Sequence, residues 1–223
     1  MLDIMSSTRR HAKPELDTVS SDRRAGDPVT RRRIVEAALR LISQRGAENV
    51  TMANMARAAR VSRQALYLHF ADRADLLLEA VRYADERRGM VSAVERIREA
   101  PSGVEALREM AAMQARMNPG IWPLARAVES VRRRDKAAEQ SWQDRLASRI
   151  AGCRDISARL EREGALNPDV DPAVAADLLW TLTSLRTWED LVLLRGWTAE
   201  QYEQRLIDLL YRALVRPEAS ARM

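Results

Sequence analysis

The chain has 223 residues, is 46% hydrophobic and 31% charged, and carries a formal net charge of +5. This composition predicts a soluble protein of one or two domains with a packed core. No apolar run approaches the roughly 18 residues that span a bilayer, which excludes a membrane protein, and the single cysteine excludes an internal disulfide framework. Because no apolar signal segment is found, we expect a cytoplasmic protein.

The basic residues are concentrated in one segment. Residues 28–89 contain twelve arginines against seven acidic residues, whereas residues 1–27 contain five of each sign and residues 90–223 contain twenty of each. A localised basic surface attracts phosphate polyanions. On charge alone, an arginine-rich solvated face is the alternative explanation.

Local signals predict several short helices near the start of the chain. Residues 1–26 lack hydrophobic periodicity and are predicted to be a disordered arm. Asp27, followed by proline, predicts the beginning of a first helix, and Thr51, Ser62 and Asp72 each suit the N-cap of a further helix. Three caps in so short a stretch predict tight turns between short helices.

Longer helices are predicted in the rest of the chain. Their approximate bounds run from Ser102 to a stop at Asn118-Pro119-Gly120, from Ile121 to Val131, from Asp135 to Glu163, from Asp171 to Arg195, and from Thr198 onward. Strand-type alternation is hard to find, so the predicted fold is all-α. The predicted organisation is a disordered arm over 1–26, a helix-turn-helix domain over 27–72, a larger helical domain over 73–217 and a disordered tail over 218–223.

The segment Ser62–Phe70 has the two edges that a DNA-reading helix needs. Leu66 and Phe70 are four residues apart and predict an inner apolar edge, while Arg63, Gln64 and Tyr67 predict an outer edge of long donors. Arginine can pair with guanine, and glutamine with adenine, in the major groove. A half-buried core position remains the alternative for Tyr67.

The sequence VSRQALYLHF at residues 61–70, followed by Asp72-Arg73 and Leu76, resembles the TetR family of bacterial transcription regulators, and the similarity extends over about residues 28–80. The resemblance implies an N-terminal helix-turn-helix reader, a C-terminal ligand-binding and dimerisation domain, a palindromic double-stranded operator and a small, largely apolar effector. The turn position that usually holds glycine in this family holds Arg60. A positive φ there would cost about 1 kcal/mol, which a phosphate contact by the same residue would offset.

This resemblance and the predicted helix faces together indicate the DNA-binding positions. Thr51 and Arg73, near helix N-termini, suit phosphate contacts, whereas His69 has a local cap or packing role as its alternative. The predicted DNA-binding set is Thr51, Arg60, Arg63, Gln64, Ala65, Tyr67, His69 and Arg73.

Methionine and tryptophan residues suggest where an effector would bind. All five tryptophans follow residue 120, and methionine side chains form deformable apolar walls. The predicted ligand-binding set is Met110, Met113, Met117, Trp122, Trp142, Trp180 and Ser184, with packing in the core or an interface as the alternative. Thr181 and Thr187 could join Ser184 as polar anchors, or all three hydroxyls could bond to the helix backbone.

The last two predicted helices carry apolar residues on more than one face. Such helices need cover on both sides, and two from each subunit would form a four-helix interface. The sequence therefore predicts a homodimer with interface residues Leu178, Leu185, Trp188, Tyr202, Leu206 and Leu210.

No catalytic motif is recognisable in the sequence, and we predict no cofactor, no metal and no enzymatic activity. A helical enzyme using carboxylates such as Glu161, Glu163, Asp169 and Asp171 is one alternative. A protein-binding adaptor is another, although it would leave the localised basic excess unexplained.

Overall fold

A computed structural model describes residues 27–46 and 50–217 of the chain. The named elements within these ranges are helical, which confirms the all-α fold. They are α1 Pro28–Arg45, α2 Met52–Ala58, α3 Arg63–His69, α4 Arg73–Arg87, α5 Met90–Glu99, α6 Gly103–Arg132, α7 Lys136–Arg162, α8 Pro172–Leu182, α9 Leu185–Trp188, a π-helix Glu189–Leu194, and α10 Ala199–Leu214. The arm and the tail predicted at 1–26 and 218–223 lie outside the described residues.

The predicted N-caps of the first four helices are all formed. The Asp27 carboxylate accepts from the backbone of Val29 and Thr30, and each of the next three caps accepts from the backbone N–H three residues later. A side-chain N-cap stabilises a helix by about 1 kcal/mol. Local sequence therefore sets where these short helices begin.

Helix α6 continues through the predicted stop at Asn118-Pro119-Gly120, and that prediction was wrong. Pro119 and Pro123 both lie inside one helix of 30 residues. Proline removes a backbone donor and disfavours a helix interior, but the buried face is continuous across this point, from Met117 and Asn118 to Leu124. Tertiary packing on both sides of the prolines outweighs their local preference.

The single long helix predicted from Asp171 to Arg195 is also wrong, because it is broken at Thr183. Helix α8 ends at Leu182, and the Ser184 hydroxyl accepts from the backbone of Thr187 to start α9. Helix α9 then passes directly into the π-helix. The hydroxyl side chains at the break supply hydrogen bonds that compete with a continuous helix.

Two hydrophobic cores are organised around α6. The N-terminal core joins α1–α4 and includes Phe70, together with Leu124 and Ala127 from the later part of α6. The C-terminal core contains the earlier part of α6, with Leu107, Met110 and residues from α5, α7, α8 and α10. Helix α6 is therefore a direct connection between the two cores.

None of the helices in the described ranges combines the length and apolarity needed to cross a bilayer.

Candidate DNA-binding surface and effector site

Helices α2 and α3 form a compact helix-turn-helix on a buried base. Met55 of α2 and Leu66 of α3 are fully buried, and Phe70, just after α3, is 1% exposed. In the turn, the Val61 N–H bonds to the Ala56 carbonyl at 3.0 Å. These contacts hold α3 against α1 and α4 while its opposite side faces solvent.

Arg60 in this turn adopts a left-handed conformation, with φ 54°. Among the described non-glycine residues it is the one with positive φ, so the glycine-type conformation is kept although glycine is not. Its side chain is exposed. A β-carbon in this region costs about 1–2 kcal/mol.

The outer face of α3 carries the predicted base-reading side chains. Arg63 and Gln64 are exposed, and neither makes a side-chain hydrogen bond or ion pair with another described residue. Tyr67 is 50% exposed, which places it on the solvent side, while Ala65 is half-buried. Side chains without internal partners are available to hydrogen-bond base edges.

Leu68 belongs to the same outer face and was missed at the sequence level. It is 71% exposed and lies one helical turn after Gln64. The sequence indicates this exposure through spacing, because Leu68 is two residues from the buried Leu66 and residues two apart lie on nearly opposite sides of a helix. An apolar side chain here can contact a thymine methyl group.

The remaining predicted DNA contacts differ in accessibility. Thr51 is exposed at the start of α2 and caps it. His69 is half-buried with its Nδ1 out of solvent, and Arg73 is half-buried, its pKa lowered by burial. His69 and Arg73 therefore lie at the base of the reader, not on its outer face.

Arg31 of α1 holds the end of α3 in place. Its Nη1 donates to the His69 carbonyl at 2.5 Å, and its guanidinium lies 4.3 Å from the centre of the Phe70 ring. Its Nη2 is 3.4 Å from a carboxylate oxygen of Glu79 in α4. One side chain thus ties α1 to both α3 and α4, a contact that the separation of 38 residues hid from sequence inspection.

The predicted effector residues do not all share one environment. Met110, Met113 and Met117 are buried in the C-terminal core, with Trp122 and Trp180 packed against it. Trp142 packs instead against the N-terminal core, and the Arg132 guanidinium lies 5.0 Å from the centre of its ring. Trp142 therefore lies apart from the others, because the side of α7 on which it lies faces the N-terminal core.

The hydroxyls proposed as polar anchors are engaged locally. Ser184 caps α9, and its Oγ is 3.0 Å from the Thr187 Oγ1. Thr187 donates in turn to the Thr181 carbonyl at 2.8 Å. This favours the structural alternative for the Ser184 and Thr187 hydroxyls, which stabilise the break between α8 and α9.

The C-terminal core also contains three polar side chains that the sequence did not indicate as effector candidates. Arg149 of α7 donates from Nη2 to the Trp180 carbonyl at 2.9 Å and to Thr183 Oγ1 at 3.3 Å. Burial lowers the pKa of Arg149. Asn118 of α6 is 2% exposed and Tyr202 of α10 is fully buried.

The predicted interface residues are divided between surface and interior. Leu178 is 37% exposed, and Leu185 is half-buried. Four others are buried in the protomer's own core and correct the prediction: Trp188, Tyr202, Leu206 and Leu210. The exposed apolar residues of the same helical region, which we call the apolar patch, include Leu178 and four residues outside the predicted set: Val174, Leu193, Leu194 and Leu209.

A comparison with known protein families finds a match for the segment that contains α2 and α3. Residues 34–80 fit the family model described as bacterial regulatory proteins, tetR family. This match shows a likeness of residues 34–80 to the TetR family. The chain is also 46% identical over 50 residues to the HTH-type transcriptional regulator AcrR of Shigella flexneri, covering 22% of this chain and 23% of that protein.

A second curated relative extends the match only slightly. The HTH-type transcriptional regulator BetI of Agrobacterium fabrum is 41% identical over 70 residues, which cover 30% of this chain and 34% of the relative. The chain thus matches between about a quarter and a third of these relatives' lengths.

The whole fold has solved counterparts. A proposed transcriptional regulator from Saccharomonospora viridis, solved in complex with choline, superposes with a TM-score of 0.73 at 22% identity, over 85% of this chain and 100% of that one. At this identity the likeness shows a shared fold.

Proposed function

We propose that this protein is a DNA-binding transcriptional regulator of the TetR family, and specifically a ligand-responsive repressor that acts as a dimer in the cytoplasm, where its DNA target lies. The observation that carries the proposal is the outer face of α3, where Arg63 and Gln64 are exposed without internal partners on a helix whose other side is buried. Such an arrangement suits insertion into a major groove. The arginine-rich composition of residues 28–89 would attract the phosphate backbone around it.

Fluorescence anisotropy with DNA fragments from upstream of the protein's own gene and its neighbours tests the proposal. We expect saturable binding to one fragment that weakens steeply as salt rises, because cationic side chains release counterions from DNA. Weak binding of equal strength to all fragments, or none, would contradict it.

Variants on α3 separate base reading from charge. Arg63→Ala or Gln64→Ala should cost about 1–3 kcal/mol on the preferred site and flatten discrimination at one base step. Arg154→Ala is the charge-matched control for Arg63→Ala, since Arg154 is exposed on α7 in the C-terminal part. Unchanged base preference in Arg63→Ala would remove that residue's reading role.

The proposed dimer is supported by the apolar patch. Its side chains lie on α8, the π-helix and α10, and α10 contacts both of the others; exposed apolar clusters on a soluble chain mark interaction sites. Two-fold pairing would present two readers to a roughly palindromic operator, with half-sites about 34–36 Å apart or a multiple of that.

Light scattering at micromolar concentration tests the dimer. We expect Leu178→Glu to shift the mass towards that of a monomer, because a charge there would be desolvated on pairing. Val91→Glu is the control, since Val91 is 70% exposed on α5, outside the patch. A monomeric unmodified protein would contradict the proposal.

The effector half of the proposal rests on the C-terminal core. A small molecule with an apolar body would bind near Met110, Met113 and Trp180, and favour a subunit arrangement that no longer fits the operator. A coupling of about 1–3 kcal/mol would relieve DNA binding roughly 5- to 150-fold. A stabilising ligand that leaves operator affinity unchanged would disprove this mechanism.

The carboxylates considered for an enzyme have structural roles that favour the regulator. Glu163 accepts from the Gly103 backbone N–H at 2.7 Å and from Arg159 Nε at 2.9 Å. Asp171 caps α8 by accepting from the Ala173 N–H at 2.8 Å. Both side chains stabilise helix ends.

A further inference from the structure

Five hydrogen-bond donors from four different helices lie in or against the C-terminal core. Asn118 and Trp122 lie one turn apart on α6, Arg149 on α7, Trp180 on α8 and Tyr202 on α10. The Arg149 guanidinium lies 5.5 Å from the centre of the Trp180 ring. Burial raises the pKa of Tyr202 to about 12 against the opposing effects of the Asn118 amide and the Arg149 charge, so these three groups lie near one another.

Among the described residues, four of these donors are buried and have no acceptor in hydrogen-bond geometry, although Asn118 and Tyr202 lie close to each other. The four donors are Asn118 Nδ2, Trp122 Nε1, Trp180 Nε1 and the Tyr202 hydroxyl. A buried donor left unpaired costs about 1–3 kcal/mol, so native cores contain few of them. Four in one cluster indicate a place where an acceptor is bound.

Among these five described side chains, Arg149 is the one that carries a charge, and that charge is positive. Arg149 is mostly buried, and its side-chain hydrogen bonds go to neutral oxygens, those of Trp180 and Thr183. It makes no ion pair among the described residues. Asp177 lies near enough to Cys153 for its negative charge to raise the pKa of that thiol, but Asp177 is itself exposed to solvent.

This arrangement disfavours a cationic ligand. A quaternary ammonium group binds over aromatic faces, yet a face of Trp180 is already occupied by the Arg149 guanidinium. The like charge of Arg149 would also repel it. The choline seen in the Saccharomonospora viridis protein is therefore a poor guide to the ligand of this chain.

We propose that this cluster binds the carboxylate of an organic acid whose apolar body packs against the nearby methionines of α6. A carboxylate offers two oxygens with about four acceptor sites, which suits Arg149 together with several neutral donors. Met110 and Met113, both buried in the same core, supply the apolar wall. The inference deepens the proposed function, because it rests on this core being the effector site.

The position of the cluster suits a role in signalling. Asn118 and Trp122 immediately precede Leu124, the point at which α6 enters the N-terminal core. A ligand bound to Asn118 and Trp122 would restrain the adjacent segment of α6, which packs in the N-terminal core.

Isothermal titration calorimetry on the full chain tests the ligand class with matched probes. Octanoate and 2-naphthoate are compared with octanamide and 2-naphthamide, and with octyltrimethylammonium. We expect at least one carboxylate to bind about tenfold or more tightly than its amide, since hydrogen bonds to a charged group are the stronger ones. Equal affinity for acid and amide, tighter binding of the ammonium compound, or no binding of any probe would overturn the proposal.

Two variants test the site itself. Arg149→Met and Tyr202→Phe should each weaken carboxylate binding about tenfold and leave amide binding nearly unchanged, whereas Arg154→Met, an exposed arginine on the same helix, should alter neither. Tyr202→Phe deletes a buried hydroxyl that has no partner, so it should not lower the thermal midpoint of the ligand-free protein.

These measurements distinguish a failure of the proposed carboxylate site from a failure of the proposed regulatory function. Lost stability with unchanged carboxylate affinity in Tyr202→Phe would mean that the hydroxyl is structural and would overturn its assignment. Operator binding is measured by anisotropy on the same ligand-free samples, so a failure of the proposed regulator is seen independently of carboxylate binding.

Discussion

Arg88, the residue after α4, lies directly against Gly120 in the middle of α6. A β-carbon at position 120 would come within 2.5 Å of the Arg88 Nε and Nη2 atoms. The absence of a side chain at position 120 leaves space for the Arg88 guanidinium against α6. The close contact is therefore made by the flexible end of one side chain and not by the backbones of α4 and α6.

We predict opposite effects for two glycine substitutions in α6. Gly120→Ala should leave the free energy of unfolding unchanged or raise it by up to about 1 kcal/mol, because alanine favours a helix and the flexible end of Arg88 can move aside. Gly103→Ala should lower it by about 1–3 kcal/mol, since its β-carbon would be 2.9 Å from the backbone nitrogen of Leu160. Urea denaturation of both variants measures the difference, and similar losses in the two would contradict it.

Replacing Arg60 should change stability and DNA affinity in opposite directions. Arg60→Gly relieves the positive φ of 54° and should raise the free energy of unfolding by about 1 kcal/mol. The same change removes an exposed positive charge beside α3 and should weaken binding to all DNA sequences alike, with a shallower salt dependence. Chemical denaturation and anisotropy at two salt concentrations measure these effects. Tighter DNA binding would show that the side chain makes no phosphate contact.

Replacement of Arg31 should make the orientation of α3 less well defined. Arg31→Met removes the hydrogen bond to the His69 carbonyl and the contact with the Phe70 ring, so we expect a loss of about 1–2 kcal/mol in stability. Binding to a preferred site should fall more than binding to random DNA, because the orientation of α3 is less well defined. Arg32→Met, at an exposed position on the same helix, should keep full stability and weaken both kinds of binding equally.

Cys153 should make the protein sensitive to alkaline conditions. Burial raises the pKa of its thiol from about 9 to about 11, so the folded state retains a proton that the unfolded state loses. The contribution of the neutral thiol is complete below pH 9 and is lost as the pH rises towards 11. Urea denaturation should show that stability falls between pH 8 and pH 10 by about 1 kcal/mol more in the unmodified protein than in Cys153→Ala. Equal slopes would show that the thiol titrates normally.

Features set by neighbouring residues were predictable from the sequence alone. The N-caps at Asp27, Thr51, Ser62 and Asp72 depend on contacts two or three residues along the chain, which the residue types reveal directly. The exposed and buried sides of α3 follow from the same short-range spacing, as Leu66 shows. The helical fold and the family resemblance rest on these signals.

Features that depend on distant partners were decided by the tertiary structure. Helix α6 runs through Pro119 because both neighbouring segments are buried, and the interior side of α10 is the one that carries Tyr202. The clamp of Arg31 on His69 and the contact of Arg149 with Trp180 join residues 38 and 31 positions apart. No local pattern encodes such pairs, since they form only when packing of the two cores brings separate helices together.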